Sequence, residues 1–127
     1  MKYLVDTHAA LWFLSDDDAL SQKAKEIIES SQNVYISAAS LWEIAIKYSI
    51  NKLDIILPNI NEFIENCIKS TYTILNVESN HIKKIATLPF IHRDPFDRML
   101  IAQAMVEKMT LITCDKYIPQ YSIQTLW

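Results

Sequence analysis

The chain has 127 residues, of which 50% are hydrophobic and 21% charged, and its formal net charge is −3. Those values predict one soluble domain with a sizeable core, here spanning residues 1–127, and they exclude a protein that holds nucleic acid by overall charge, because such binding is dominated by phosphate neutralisation. The complete absence of glycine excludes Gly-rich phosphate loops, and with them the nucleotide enzymes built on them.

Lys2 to Val5 is a short β-prone run, too apolar to face water on either side, so it predicts a central strand covered on both faces. Asp6 stands at its carboxyl end, where ligands bind in open α/β sheets. Asp6 or Thr7 also fits as the cap of the following helix, AALWFL. Trp12 and Phe13 give that helix more apolar surface than its length needs. A solvated SDDD loop follows. Next comes a helix from about Leu20 to Ser31 that buries Ala24, Ile27 and Ile28.

Asn33 to Ser37 predicts a second strand, with Ser37 or Ser40 capping a helix that runs to about Tyr48; Ser40 and Glu43 would fit a capping box. Two apolar stripes, Leu41–Ile44–Ala45–Tyr48 and Trp42–Ile46, leave little of this helix for solvent. Glu43 and Lys47 fill the gap, one turn apart. Their order suits a surface ion pair, yet on so apolar a helix a functional Glu43 is the favoured reading. Asn51 to Leu57 connects to a helix from about Ile60 to Ser70, introduced by Pro58. Thr73 to Val77 predicts a third strand, and Glu78 to Leu88 a helix that buries Ile82, Ile85 and Ala86 before Pro89 stops it.

In RDPFDRMLIAQA, Pro95 suits the first helical position, which places Asp94 at the N-cap and Asp97 in the first turn of a largely buried helix. The strand Thr110 to Thr113 ends in Cys114 and Asp115, so a second acid follows a buried strand, and a last strand spans about Ser122 to Leu126. Cys67 and Cys114 have no zinc-type spacing and predict two buried, reduced thiols. No apolar run approaches the roughly 20 residues of a membrane span, and the N-terminus has no targeting pattern, so a cytoplasmic protein with no membrane contact is expected.

Alternating strands and helices predict a parallel sheet with right-handed crossovers. Asp6, Glu43, Asp97 and Asp115 then lie at strand ends or helix edges that can converge. Carboxylates in one cleft repel unless a cation fills it, and an all-oxygen set suits Mg²⁺, with Mn²⁺ able to substitute, rather than zinc. Such sites typically act on phosphates. His8, His81 and His92 are not required as ligands and read as capping or packing residues.

The series VDTHAALWFL, SAASLWEIAIK, IHRDPFDRMLIAQA and LITCDKYIPQY, in this order and spacing, resembles the PIN-domain endoribonucleases, specifically VapC-like toxins of bacterial toxin–antitoxin pairs. The resemblance implies a three-layer α/β sandwich with a central, mostly parallel sheet of four to five strands. It puts the family's acidic quartet, as catalytic and metal-binding residues, on Asp6, Glu43, Asp97 and Asp115. It further implies RNA hydrolysis with a divalent metal, a homodimer, and inhibition by a cognate antitoxin. Together with the surplus apolar surface at Trp12 and Phe13, the resemblance predicts a partner presenting an amphipathic helix or apolar tail with a basic side chain. Lys47, Arg93, Arg98 and Lys116 lie within four residues of a quartet acid and are expected to form an RNA-binding rim. Relatives usually carry Gly where this chain has Asn51, and Asn tolerates the left-handed turn next best. The competing readings are a catalytically silent PIN-fold interaction module and a phosphatase with a nucleophilic Asp. The latter usually has a second Asp two residues on, where this chain has His8.

Overall fold

The computed structural model describes residues 1–53, 57 and 59–127. Among them, five parallel strands are joined in the order β3-β2-β1-β4-β5: β1 (Tyr3–Val5), β2 (Val34–Ser37), β3 (Thr73–Leu75), β4 (Thr110–Ile112) and β5 (Thr125–Leu126). The chain lays down β2 and β3 on one side of β1, then β4 and β5 on the other. The order therefore reverses between β1 and β4, which makes the carboxyl ends of these two strands the place where a cleft opens. The register pairs Val5 with Ile112, and the Asp6 amide donates to the Ile112 carbonyl at 3.0 Å, so the residues after both strands leave the sheet together.

Side-chain alternation sorts the core into two layers. Val5 and Ile112 face one side, beneath helices α1 (Thr7–Leu14), α2 (Gln22–Ser30), α3 (Ala38–Ser49) and α4 (Ile60–Asn66). Leu4 and Leu111 face the other and pack on α6 (Pro95–Glu107), which is backed by α5 (Ser79–Thr87). Burial on both faces explains why β1 and β4 read as unbroken apolar runs. The three-layer α/β sandwich expected from the sequence is the architecture of the chain. No helix among the described residues is long and apolar enough to cross a membrane.

Several local expectations need correction. Ser37, not Ser40, caps α3, its Oγ accepting from the Ala39 amide at 3.0 Å, so no Ser40–Glu43 box forms. Trp42 and Ile46 are exposed rather than buried. On α5 the buried positions are His81 and, partly, Ile85, while Ile82 and Ala86 face outward. The spacing of residues 81, 85 and 88 marks the same face of a helix as well as 82, 85 and 86 would, and the docking of α5 on α6 selects the first. The helix from Ile60 ends at Asn66 and continues as a π-helical turn, Cys67–Thr71. Pro58, expected to introduce it, lies outside the described residues. Cys67 is buried but Cys114 is exposed.

A chain without glycine must use other residues where the backbone turns left-handed. Asp16, Asn51 and Lys108 do so, with φ of 53°, 55° and 56°. Asn51 keeps the left-handed turn that the sequence expects of it.

Candidate active site

Asp6 leaves β1 and caps α1, its Oδ1 accepting from the Ala9 amide at 2.7 Å. The capping role and the strand-end position thus belong to the same carboxylate. Asp6 is only 7% exposed. Burial pushes its carboxyl up from the ordinary value and outweighs the Thr113 and Ala9 hydrogen bonds that lower it.

Thr7, the next residue, reaches across to α3. Its Oγ1 donates to Glu43 Oε1 at 2.7 Å and shares a 3.1 Å hydrogen bond with Ser40 Oγ. Glu43 is buried, and Lys47 Nζ lies 2.9 Å from its other oxygen. The Glu43–Lys47 pair considered from the sequence is present, but one partner is inside the protein and held by a second element.

Asp97 arrives from the other side. Asp94 caps α6, its Oδ1 accepting from the amides of Phe96 at 2.8 Å and Asp97 at 3.0 Å, with Pro95 at the first helical position as expected. The cap aims the first turn at the cleft. Burial, then the charges of Asp94, Asp6 and Glu43, push the Asp97 carboxyl up to about 7, against a smaller lowering by His92. The charges of Asp6 and Glu43 thus reach Asp97.

Asp115 is the fourth of these acids. It stands just beyond β4, and its Oδ1 accepts from the Tyr117 and Ile118 amides at 2.7 and 3.1 Å. Partial burial raises its carboxyl, but the His92 hydrogen bond and these two amides together hold it below the ordinary range. Within one cleft, then, Asp97 resists ionisation while Asp115 favours it.

The sequence reading missed His92 as a site residue. Its Nε2 lies 3.1 Å from Asp97 Oδ2 and 3.0 Å from Asp115 Oδ2. The ligand-type atoms of these three residues fall within 4.8 Å of one another, close enough to share one small cation, and they are the group among the described residues that does so. His81, by contrast, is buried away from the cleft, its Nδ1 accepting from the Glu78 amide and its Nε2 2.8 Å from Glu107.

The expected rim separates into different parts. Arg93 and Lys116 are exposed, the latter with Nζ 5.3 Å from the Tyr117 ring, and Lys47 is half-buried. Arg98 is not on a rim: it is buried, stacks over Phe90, and donates to the carbonyls of Pro89, Leu88 and His92 at 3.0 to 3.3 Å. A guanidinium can satisfy its donors on main-chain carbonyls with no acid nearby, which residue type alone does not reveal.

A family model of the PIN domain matches residues 3–123. The chain belongs to the PIN-domain family. This PIN chain is 24% identical over 113 residues, 89% of its own length and 86% of the relative's, to Ribonuclease VapC22 of Mycobacterium tuberculosis. Among solved structures it is similar to VapBC2 from Rickettsia felis bound to a promoter DNA fragment, with a TM-score of 0.71 at 15% identity over 100% of this chain and 99% of that one. FitAcB from Neisseria gonorrhoeae gives 0.70 at 16% over 98% and 96%, and a toxin–antitoxin complex from Klebsiella pneumoniae 0.67 at 17% over 99% and 97%. At such identities these structures speak for the fold of the PIN domain. Trp12 and Phe13, read from the sequence as a partner surface, are half-buried in it, Trp12 against Trp127 and Phe13 against Tyr72.

Proposed function

We propose that this PIN domain is a divalent-metal-dependent endoribonuclease, the toxin of a toxin–antitoxin pair, with Asp6, Glu43, Asp97 and Asp115 as its catalytic and metal-holding carboxylates. The observation that carries the reading is the gathering of Asp97 and Asp115 with His92, their ligand-type atoms within 4.8 Å of one another, where burial and neighbouring acids push the Asp97 carboxyl up. That crowding is costly unless a cation offsets it, and a set of hard carboxylate oxygens fits Mg²⁺ or Mn²⁺. The ion would supply there the positive charge that admits a phosphodiester and the acidity that makes water a nucleophile.

The chain's own residues divide the remaining tasks. Thr7 holds Glu43 turned into the cleft, and Asp6 fixes the start of α1 so that Thr7 is in reach. The exposed Arg93 and Lys116 are placed to meet phosphates, beside Lys47, which is paired with Glu43, while Arg98 is committed to the loop. A relative named as a ribonuclease and structural neighbours solved as toxin–antitoxin complexes support the assignment of an RNA substrate and a cognate antitoxin. A homodimer is part of the same reading. It is supported by the exposed apolar residues Trp42, Ile46 and Ile50 and by a groove of about 700 Å³ whose lining includes Trp42, Ile82 and Phe90. The one-domain extent 1–127 and a cytoplasmic location also belong to this proposal.

The test is cleavage of RNA by the purified protein. The expected result is Mg²⁺- or Mn²⁺-dependent cuts that leave 3′-hydroxyl and 5′-phosphate ends and stop in EDTA. Undiminished cleavage in excess EDTA would overturn it. No cleavage of any RNA with either metal would favour the silent interaction module.

A further inference from the structure

His92 is fixed on every side. Its amide donates to Tyr121 Oη at 2.7 Å, its carbonyl accepts from Arg98 at 3.3 Å, and its ring meets the Tyr117 ring edge-on with centroids 5.8 Å apart. The ring nitrogens are then decided by what faces them. Nδ1 accepts from the Asp94 amide at 3.1 Å. An amide N–H can only donate, so Nδ1 carries a lone pair, and in a neutral imidazole the hydrogen is on Nε2. Nε2 in turn faces Asp97 Oδ2 and Asp115 Oδ2, which above about pH 7, where Asp97 is ionised, can only accept. Both ends of the ring require the same tautomer.

We infer that His92 is a positioning residue that holds Asp115 by donating its Nε2–H to Oδ2 and keeps Asp97 Oδ2 beside it at 3.1 Å, and that it is not itself a ligand of the ion. This rests on the proposed metal site and deepens it. Asp97 sits on α6 and Asp115 follows β4, eighteen residues later, so one bridging ring sets the spacing of two carboxylates that the backbone holds separately. Ligation through Nε2 would need its lone pair. The hydrogen would have to move to Nδ1, directly against the Asp94 amide in the turn that starts α6. The neutral donor keeps that turn intact and leaves the carboxylate oxygens to the cation. A histidine that orients metal-holding groups without touching the metal is worth roughly 10- to 100-fold in affinity.

Two measurements on the full-length protein test this. The first is the ¹⁵N spectrum of the His92 ring near pH 8, without metal and with Mg²⁺. The expected pattern is Nε2 protonated and Nδ1 bare in both states, and an Nε2 that loses its proton on adding Mg²⁺ would make His92 a ligand. The second is the rise in melting temperature with Mn²⁺ for wild type, His92→Gln and His92→Ala. Gln places an amide N–H near the Nε2 position, so it should recover most of the response, while Ala weakens Mn²⁺ binding roughly 10- to 100-fold. Gln no better than Ala, or a full response from Ala, overturns the inference alone. A wild-type protein unmoved by Mn²⁺ overturns the metal site and the inference with it.

Discussion

Asp6 and Glu43 are joined through Thr7, Asp97 and Asp115 through His92, and the two pairs are held by different kinds of bond. The first pair is built by regular structure: Asp6 ends the central strand and caps α1, and a threonine on that helix reaches a glutamate on α3. The second pair depends on residues 88–94, a loop with no ladder of its own. Arg98 gathers its carbonyls, and Tyr121 Oη accepts from the Ile91 and His92 amides and donates to Pro89. Regular structure spreads its support over many main-chain bonds, whereas a clamp concentrates it in one side chain. The second pair is therefore the one that a distant single change can disorder.

The largest effect falls on Asp97 itself. Asp97→Asn keeps the shape and removes the charge, so cleavage should drop to the level seen in EDTA. The metal-free fold should respond in the opposite sense. With a carboxyl at about 7 in the folded state against 3.8 as its ordinary value, the native protein holds a proton that the unfolded chain has released. Stability therefore falls as pH rises through that window, by on the order of a few kcal/mol before allowance for partial solvent exposure. Asp6, also raised, acts in the same direction. Urea melts of EDTA-treated protein should show greater stability at pH 5 than at pH 8, and Asp97→Asn should flatten the difference. A wild type that gains stability over that range would contradict the crowding. Asp94 is the control: Asp94→Asn keeps the cap, removes a charge that raises Asp97, and should retain substantial cleavage, while Asp94→Ala loses about 1 kcal/mol as an N-cap deletion does.

The next effect tests the clamp. Tyr121 is buried, and Tyr121→Phe removes one oxygen that serves three main-chain groups. The loss should be about 1–3 kcal/mol, as for buried amides left without an acceptor. Because His92 hangs from the same oxygen, cleavage and the melting response to Mn²⁺ should both weaken, although Tyr121 touches none of the acids. Equal stability loss with unchanged activity would mean that the loop keeps its shape without the hydroxyl.

The same contrast explains what the sequence disclosed. Strands buried on both faces leave unbroken apolar runs, so Asp6 and Asp115 could be placed at their ends. Pro95 fixed the start of α6 and with it Asp94 and Asp97. The clamp could not be read, because Arg98, Tyr121 and His92 bond to main-chain groups, and a carbonyl looks the same under every side chain. The outward face of Trp42 and Ile46 was hidden for another reason: an apolar stripe has one periodicity whether or not its own chain covers it. Legibility thus followed regular structure and failed where single side chains organise a loop.

The smallest effect lies away from the site and separates stability from function. Lys108 ends α6 in the left-handed region, with φ 56° and ψ 50°, and its amide bonds back to the Ala104 carbonyl. A side chain with a Cβ costs roughly 1–2 kcal/mol in that conformation, and only Gly escapes it, with Asn and Asp less penalised than other residues. Glycine also gives the unfolded chain more freedom, which takes back part of the gain. Lys108→Gly should therefore stabilise the protein by about 1 kcal/mol, and Asn51→Gly, where Asn already tolerates φ of 55°, by no more than a few tenths. Neither position touches the clamp or the carboxylates, so both variants should cleave as wild type does and keep its full melting response to Mn²⁺. An equal gain at the two positions would show that the penalty is set by the surrounding turn rather than by the residue. A loss of cleavage in Lys108→Gly would show that the far end of α6 is coupled to the cleft, and that the second half of the site depends on the whole helix rather than on its first turn and the loop before it.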